Sequence, residues 1–362
     1  MKKVIGIYCG GGSSLKQWDD EIVRNHGAGG SETWAVEVAS EFQRRGYHVI
    51  VFGNPPYWRF AVDGVEYVPK ENLKWRCEYQ HFDYFISSRE FIDINGIVNC
   101  EHKYIMAHDP CIFGDKLQAF NFKRIFYLSE WQKQFISNDI GIYNNSYYVK
   151  TKNGINLSNY SNVDLDMKEN CMIWSTVADR GFGFFMNHIF PEIKKEVHDF
   201  CVYCASYEPS GFEKWKNVDG VIILPILGKK ELSDIQKKCK IWIYPNIGFL
   251  ENGTNVPIHE TFCITAIENA YAKNAIISSW NSGIKDTLCG YSCLFGKDVI
   301  EYGDYSPKML NEAKKFIVEN SIKVLKDDIY RKKLVEEAYN ICQKYTWENV
   351  VNDWLREWNE KI

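Results

Sequence analysis

No stretch of this chain reaches the roughly 18–20 uninterrupted apolar residues that cross a bilayer. The amino terminus, MKKVIGIYCGGG, has two lysines but only a short apolar run before its glycines. It lacks the apolar region and cleavage site of a secretory signal, so a cytoplasmic protein is expected. Excess positive charge is missing as well. Forty-three Lys and Arg against 47 Asp and Glu leave a net charge of −4, which offers nucleic acid no electrostatic hold. There is no Gly-Lys-Ser/Thr of a Walker loop and no true G-x-G-x-x-G, which disfavours an NAD oxidoreductase. Paired metal ligands are absent too. Cys289 and Cys293 have no second pair nearby, and the strings Asp164-Leu165-Asp166 and Asp93-Ile94-Asn95 read as solvated loops.

What is present describes an ordinary globular chain rich in aromatics: 45% apolar, 25% charged and 15% aromatic. At 362 residues it exceeds what one hydrophobic core usually serves, so two domains are expected. The 12 cysteines are scattered, many inside apolar runs (Cys9, Cys171, Cys201, Cys239), and read as buried free thiols in a reducing compartment. Cys201-Val-Tyr-Cys204 has redox spacing but lies in a strand-like run rather than at a helix start.

Strand and helix signals alternate. Strands are expected at Val4–Cys9, His48–Phe52, Tyr84–Ser87, Tyr104–Ala107, Arg124–Leu128 and Tyr147–Lys150, with a helix from Ser31 to Arg45 and another opened by the capping box at Ser129. After a polar stretch the pattern restarts. Strands follow at Cys171–Thr176, Phe200–Cys204, Val221–Leu224, Ile241–Tyr244 and Ala275–Ser279, with helices from Phe182, at Glu231–Lys238 and at Ile264–Tyr271. Alternation of this kind builds a parallel sheet covered on both faces. The division expected is residues 1–156, a linker at 157–170, a second domain at 171–344 and a terminal helix at 345–362. That helix carries Trp347, Val350, Val351, Trp354, Leu355 and Trp358 on one stripe. Its other face is acidic, so the stripe is read as core packing rather than a membrane anchor.

Four places could carry chemistry. Gly27-Ala28-Gly29-Gly30-Ser31-Glu32 precedes a helix; it is either an anion- or hydroxyl-receiving amino terminus or a tight loop capped by Ser31. Asp179-Arg180-Gly181 opens the first helix of the second domain, where a guanidinium can neutralise a diphosphate or simply face solvent. His108-Asp109 ends a strand, at the carboxyl edge where α/β sheets place ligands, and is either a site group or a structural histidine. In HETFCITAIENAYAKNAIISS, Glu260 precedes a helix and Glu268 lies about a turn inside it. Both can address a ligand resting on the helix amino terminus near Phe262–Ile264, with Asn274 as a left-handed cap.

Taken in order, these segments resemble the retaining GT-B glycosyltransferases, in particular glycosyltransferase family 4. The resemblance is carried by Glu260-x7-Glu268 with Asn274–Ser279, by Gly29-Gly30-Ser31-Glu32, Leu128–Trp131, Asn153-Gly154-Ile155, Asp179-Arg180-Gly181, Leu227-Gly228 and Tyr345–Glu348. It implies an α/β GT-B fold: two doubly wound Rossmann-like domains facing across a cleft, the carboxy-terminal helix packing back on the first. It implies transfer of a sugar from a nucleotide-diphosphate sugar, with UDP or GDP expected, to a hydroxyl of a glycan, glycolipid or other acceptor, with retention. No cofactor and no metal are implied, nor any nucleic-acid partner; peripheral membrane contact is compatible with it.

Site roles carry over position by position. Glu268 would take the ribose hydroxyls and Glu260 the transferred sugar. The backbone N–H groups of Phe262, Cys263 and Ile264 would take phosphate and sugar oxygens. Arg180 would neutralise the diphosphate, with Gly29 and Gly30 closing on it and His108 at the reacting carbon. The chain departs from the family where Ser175 and Thr176 stand in place of an arginine, where Asn274 replaces a glycine, and in a longer insert at Gly248–Pro257. Acceptor-side candidates are the Gly10–His26 loop and Pro55–Arg59. Two other outcomes fit the same fold: a non-catalytic nucleotide or glycan binder, and a sugar-nucleotide epimerase.

Overall fold

A computed structural model describes residues 2–10, 17–94, 96–206, 209–245, 260–296 and 307–361. The insert Gly248–Pro257, Asn95 and residues 11–16 of the Gly10–His26 segment lie outside the described residues. The chain divides into two units, residues 1–154 with 345–362, and residues 155–344.

Unit 1 is built from β1 (Val4–Tyr8), α1 (Asp20–His26), α2 (Gly30–Arg44), β2 (His48–Gly53), β3 (Arg59–Phe60), β4 (Glu66–Pro69) and α3 (Leu73–Tyr79). It continues through β5 (Tyr84–Ser88), β6 (Glu90–Phe91), β7 (His102–Met106), β8 (Phe113–Gly114), β9 (Arg124–Tyr127), α4 (Glu130–Ile140) and β10 (Tyr148–Lys150). Eight strands form one sheet in the order β10-β9-β7-β5-β1-β2-β4-β3, parallel except for the antiparallel edge strand β3. Runs such as Val-Ile-Gly-Ile-Tyr and Tyr-Phe-Ile-Ser-Ser are continuous because both faces of a parallel sheet are covered.

Two expectations about this unit need correction. The Gly10–His26 segment is not wholly a loop: Asp19 accepts from the Ile22 N–H and starts helix α1, and Trp18 before it is buried. Ser31 is not a cap either. Gly29 holds the N-cap position of α2 with no side-chain bond, and the Ser31 hydroxyl donates to Glu32 instead. A third difference is an omission. Helix α3 shows no apolar stripe in sequence, since only Leu73 and Cys77 of its seven residues are buried.

Unit 2 begins with β11 (Cys171–Trp174) and α5 (Phe182–Phe184), which runs through a π-turn into α6 (Phe190–Glu196). Then come β12 (Cys201–Cys204), β13 (Val221–Ile223), α7 (Lys229–Lys238), β14 (Ile241–Tyr244), α8 (Ile264–Tyr271), β15 (Ala275–Ser279), α9 (Ile284–Thr287), β16 (Leu294–Phe295), α10 (Pro307–Lys326) and α11 (Asp328–Cys342). The parallel runs β11-β12-β13 and β14-β15-β16 meet through a bridge between Glu169 and Cys239. All 12 cysteines are free thiols, most of them buried.

The polar stretch 157–170 is not a detached linker. Lys168 is buried, and its Nζ donates to the carbonyls of Cys239 and Ala272 at 2.7 Å, of Lys237 at 3.1 Å, and to Asn274 Oδ1 at 2.7 Å. It thereby ties together the carboxyl ends of α7 and α8, where carbonyl dipoles favour a cation. Asn274 is therefore no left-handed cap. Lys273 takes the positive φ of 60°, while Asn274 is fully buried and donates to Gln236 and Asn269.

The terminal helix α12 (Trp347–Glu357) belongs to unit 1. Trp354 stacks on Phe126 at 3.5 Å and Trp358 on Tyr84 at 3.8 Å, with interplanar angles of 10° and 5°. The six-residue stripe is buried, as a core-packing helix requires. Truncating Trp354 to alanine would cost about 3–5 kcal/mol. Where the helix begins, a Cβ on Gly154 would lie 2.4 Å from the Trp347 nitrogen, so Asn153-Gly154-Ile155 must carry glycine there.

Candidate active site

A cavity among the described residues of unit 2 lies at the carboxyl ends of β11 and β14 and the amino terminus of α8. It is lined by Trp174, Ser175, Thr176, Arg180, Trp242, Tyr244, Glu260, Cys263, Ile264 and Thr265. At about 160 Å³ it lies below the roughly 300–1,000 Å³ of closed small-molecule sites. The walls are made by strand ends and a helix start, the usual ligand edge of a parallel sheet.

Glu260 and Arg180 form an ion pair across this cavity, and the Tyr244 hydroxyl donates to the same Glu260 oxygen at 2.7 Å. The carboxylate keeps the Arg180 guanidinium strongly protonated, against the opposing effect of burial. Burial, reinforced by Glu260, holds the Tyr244 phenol far above its ordinary value, so it remains a donor. The Ser175 hydroxyl is buried on the cavity wall with no partner among the described residues. A hydroxyl open in this way is completed by water or by a ligand entering the cavity.

The loop that presents Glu260 is pinned from one side. Its N–H donates to Ser282 Oγ at 3.2 Å, and its carbonyl accepts from the Gly283 N–H at 2.6 Å. A Cβ on Gly283 would sit 2.2 Å from the Thr261 oxygen, so only glycine allows this approach. Thr287 Oγ1 bonds the Phe262 carbonyl. The turn into α8 passes through Cys263 at φ 70°, ψ 73°, a left-handed conformation that non-glycine residues adopt only at a cost. Among the described residues no side chain caps α8, whose first residues, Ile264 and Thr265, line the cavity.

Glu268 does not line this cavity. It sits one turn along α8, buried, with Lys229 Nζ and Gln236 Nε2 each 3.3 Å from one of its two oxygens. Tyr160 extends the chain, donating to Gln236 at 2.8 Å. Lys229 and Gln236 are seven residues apart on α7, and so share one face. The structure thus brings Ser175, Arg180, Glu260, Cys263 and Ile264 together, with Glu268 in an adjoining polar nest. Phe262 is buried and does not line the cavity; its carbonyl accepts from Thr287.

The remaining candidates lie in unit 1. Gly29 and Gly30 open α2, whose Trp34 packs edge-on against His108 at 5.3 Å. Burial, and then the nearby Arg89, pulls the His108 imidazole down to about 3, so it is neutral at physiological pH. Arg89 was not singled out in the sequence. It follows β5 at φ 71° and bonds Asp109 at 2.6 Å and Ser31 Oγ at 3.3 Å, linking the glycine loop to the histidine segment. A non-glycine residue in a left-handed conformation at a strand's carboxyl end leaves no trace in local pattern.

Neither a protein-family model nor a curated protein sequence matches this chain. Solved structures do, over nearly the full length. Sucrose-phosphate synthase from Thermosynechococcus elongatus aligns with 99% of this chain and 98% of its own, at 11% identity and a TM-score of 0.70. The chain has the GT-B glycosyltransferase fold. A glycosyltransferase from Rickettsia africae covers 99% of this chain and 98% of its own at 14% identity and a TM-score of 0.66. The Anabaena protein HepE, solved with UDP and glucose, covers 99% of both chains at 9% identity and a TM-score of 0.62. At such identities the GT-B likeness speaks for architecture, and chemistry has to be argued from side chains.

Proposed function

We propose that this protein is a retaining glycosyltransferase that moves a sugar from a nucleotide-diphosphate sugar to an acceptor hydroxyl. The observation that carries the reading is the Arg180–Glu260 pair over a cavity that also holds the open Ser175 hydroxyl and the uncapped start of α8. One cation and several N–H donors suit a diphosphate, while a carboxylate beside them suits sugar hydroxyls. That a GT-B protein has been solved with UDP and glucose supports the same pairing of ligands.

In this reading the donor takes over the ion pair: Arg180 turns to the diphosphate, and Glu260 to the sugar. Ser175 and the N–H groups of Cys263 and Ile264 hold phosphate oxygens, with the Phe262 N–H beside them. Glu268, oriented by Lys229 and Gln236, takes the ribose. The anomeric carbon–phosphate oxygen bond breaks as the acceptor oxygen bonds to the same carbon from the same face. The acceptor's proton passes to the departing phosphate. Arg180 and the α8 amino terminus stabilise the charge gathering on that phosphate, with about 3–4 kcal/mol per well-placed donor as the scale. Glu260 fixes the positively charged sugar. No metal or cofactor is assigned a part.

The test is nucleotide release from a panel of UDP-, GDP-, ADP- and TDP-sugars, with and without EDTA. Release from at least one donor, insensitive to EDTA, is expected. An intact protein that neither binds nor cleaves any of them would overturn the proposal.

A further inference from the structure

At the β3 edge of unit 1, a run of large rings stands exposed. Trp58 meets Trp75 at 5.6 Å, and Trp75 meets Tyr79 at 5.8 Å. Their exposures are 40%, 48% and 73%, and Phe60 is 61% exposed. Phe60 belongs to the edge strand β3 and follows Trp58 by two residues. Rings this large are normally covered; a contiguous exposed group marks a contact surface.

The rings are also held in place. The Trp58 indole N–H donates to Glu66 Oε1 at 2.8 Å, and Glu66 is buried. Arg76 bonds Glu66 at 3.0 Å and lies over the Trp58 ring at 5.7 Å. A buried carboxylate and a guanidinium thus fix an indole that remains partly open to solvent. That is more order than a solvated side chain needs, and it lowers the entropy lost when a ligand stacks on the ring.

Charge narrows the occupant. The exposed ionisable groups of α3 are Lys74 and Glu78, with Glu71 in the preceding turn; Arg76 is already paired with Glu66, and Arg59 of the edge strand with Asp19. A surface with no cationic excess does not attract anionic lipid or phosphate. Flat amphipathic rings in near-neutral surroundings match the C–H faces and hydroxyl edges of uncharged pyranose rings.

We propose that Trp58, Trp75 and Tyr79 form a binding platform for an uncharged oligosaccharide, separate from the donor cavity. The test uses the full chain and three probes, cellohexaose, maltohexaose and chitohexaose, followed by tryptophan emission. At least one should give a saturable change, and Trp75→Ala and Tyr79→Ala should each weaken it about tenfold or more. The thermal shift produced by UDP or GDP should stay as in the parent protein. That arm reports the donor site alone, so failure of the platform and failure of the transferase reading are told apart. The platform is overturned if none of the probes binds, or if binding survives in the Trp75→Ala/Tyr79→Ala double variant. It is equally overturned if those variants instead lose adhesion to phosphatidylcholine–phosphatidylglycerol vesicles, or lose self-association in sedimentation.

Discussion

Glu260 and Glu268 stand eight positions apart and are furnished alike: each carboxylate has one cation and one neutral donor. Glu260 has Arg180 and Tyr244; Glu268 has Lys229 and Gln236. The difference lies in what holds them. Glu260 sits on a loop shaped by Gly283, Ser282 and the left-handed Cys263, all of which carry tight or strained backbone geometry. Glu268 is carried by a regular helix, with α7 alongside and Lys168 clamping the ends of both helices. Backbone strain of this kind concentrates at functional sites. Within the proposed transferase reading, we therefore propose the loop acid for turnover and the helix acid for binding.

That contrast breaks most sharply at Glu260. Glu260→Gln should lower kcat by about 100-fold, the scale of one well-placed electrostatic group. It also frees Arg180, so calorimetry should find nucleoside diphosphate bound as tightly as before or more so. A parallel loss of binding would make Glu260 a gripping residue like its neighbour. Glu268→Ala should act in the opposite sense, raising donor KM about 10- to 100-fold with kcat within a few-fold, as loss of uniform binding does.

Smaller effects sharpen the pairing. Tyr244→Phe removes one hydrogen bond to a carboxylate, worth about 1.5–3 kcal/mol, and should cut kcat roughly 10-fold or more with KM little changed. Lys229→Met should raise KM only a few-fold, because Gln236 still orients Glu268. If Tyr244→Phe moved KM and Lys229→Met moved kcat, the assignment of the two nests would be reversed.

His108 provides the pH test. Its folded value of about 3 lies below the ordinary 6.5, so between these limits the unfolded chain binds the proton and the native state does not. Its contribution to stability is complete above pH 6.5 and is lost as pH falls, at up to about 1.4 kcal/mol per pH unit. NMR should show a neutral imidazole at pH 5, and His108→Asn should flatten the acid limb of the stability curve.

The sequence made the helix Ile264–Tyr271 and the strand Ala275–Ser279 legible to the residue, because apolar spacing in a buried α/β layer reports period directly. The aromatic stripe of the terminal helix was equally plain. Helix α3 and strand β4 were not, since Trp75 and Tyr79 point to solvent and Glu66 interrupts an otherwise apolar run. Capping also misled. Ser31 and Asn274 have the right chemistry for caps, yet one turned to Glu32 and the other was drawn into a buried network.

By itself, the sequence determined the alternation of strands and helices, the unpaired state expected of its cysteines, and the two acids with a helix start between them. Those features depend on near neighbours, through periodicity, capping and composition. Only the tertiary structure decided that Tyr244 and Arg180 meet on Glu260, that Lys229 and Gln236 meet on Glu268, and that Arg89 joins Ser31 to Asp109. Such contacts bring together residues 16 to 80 positions apart. Their partners are chosen by the packing of whole elements, which no local pattern encodes.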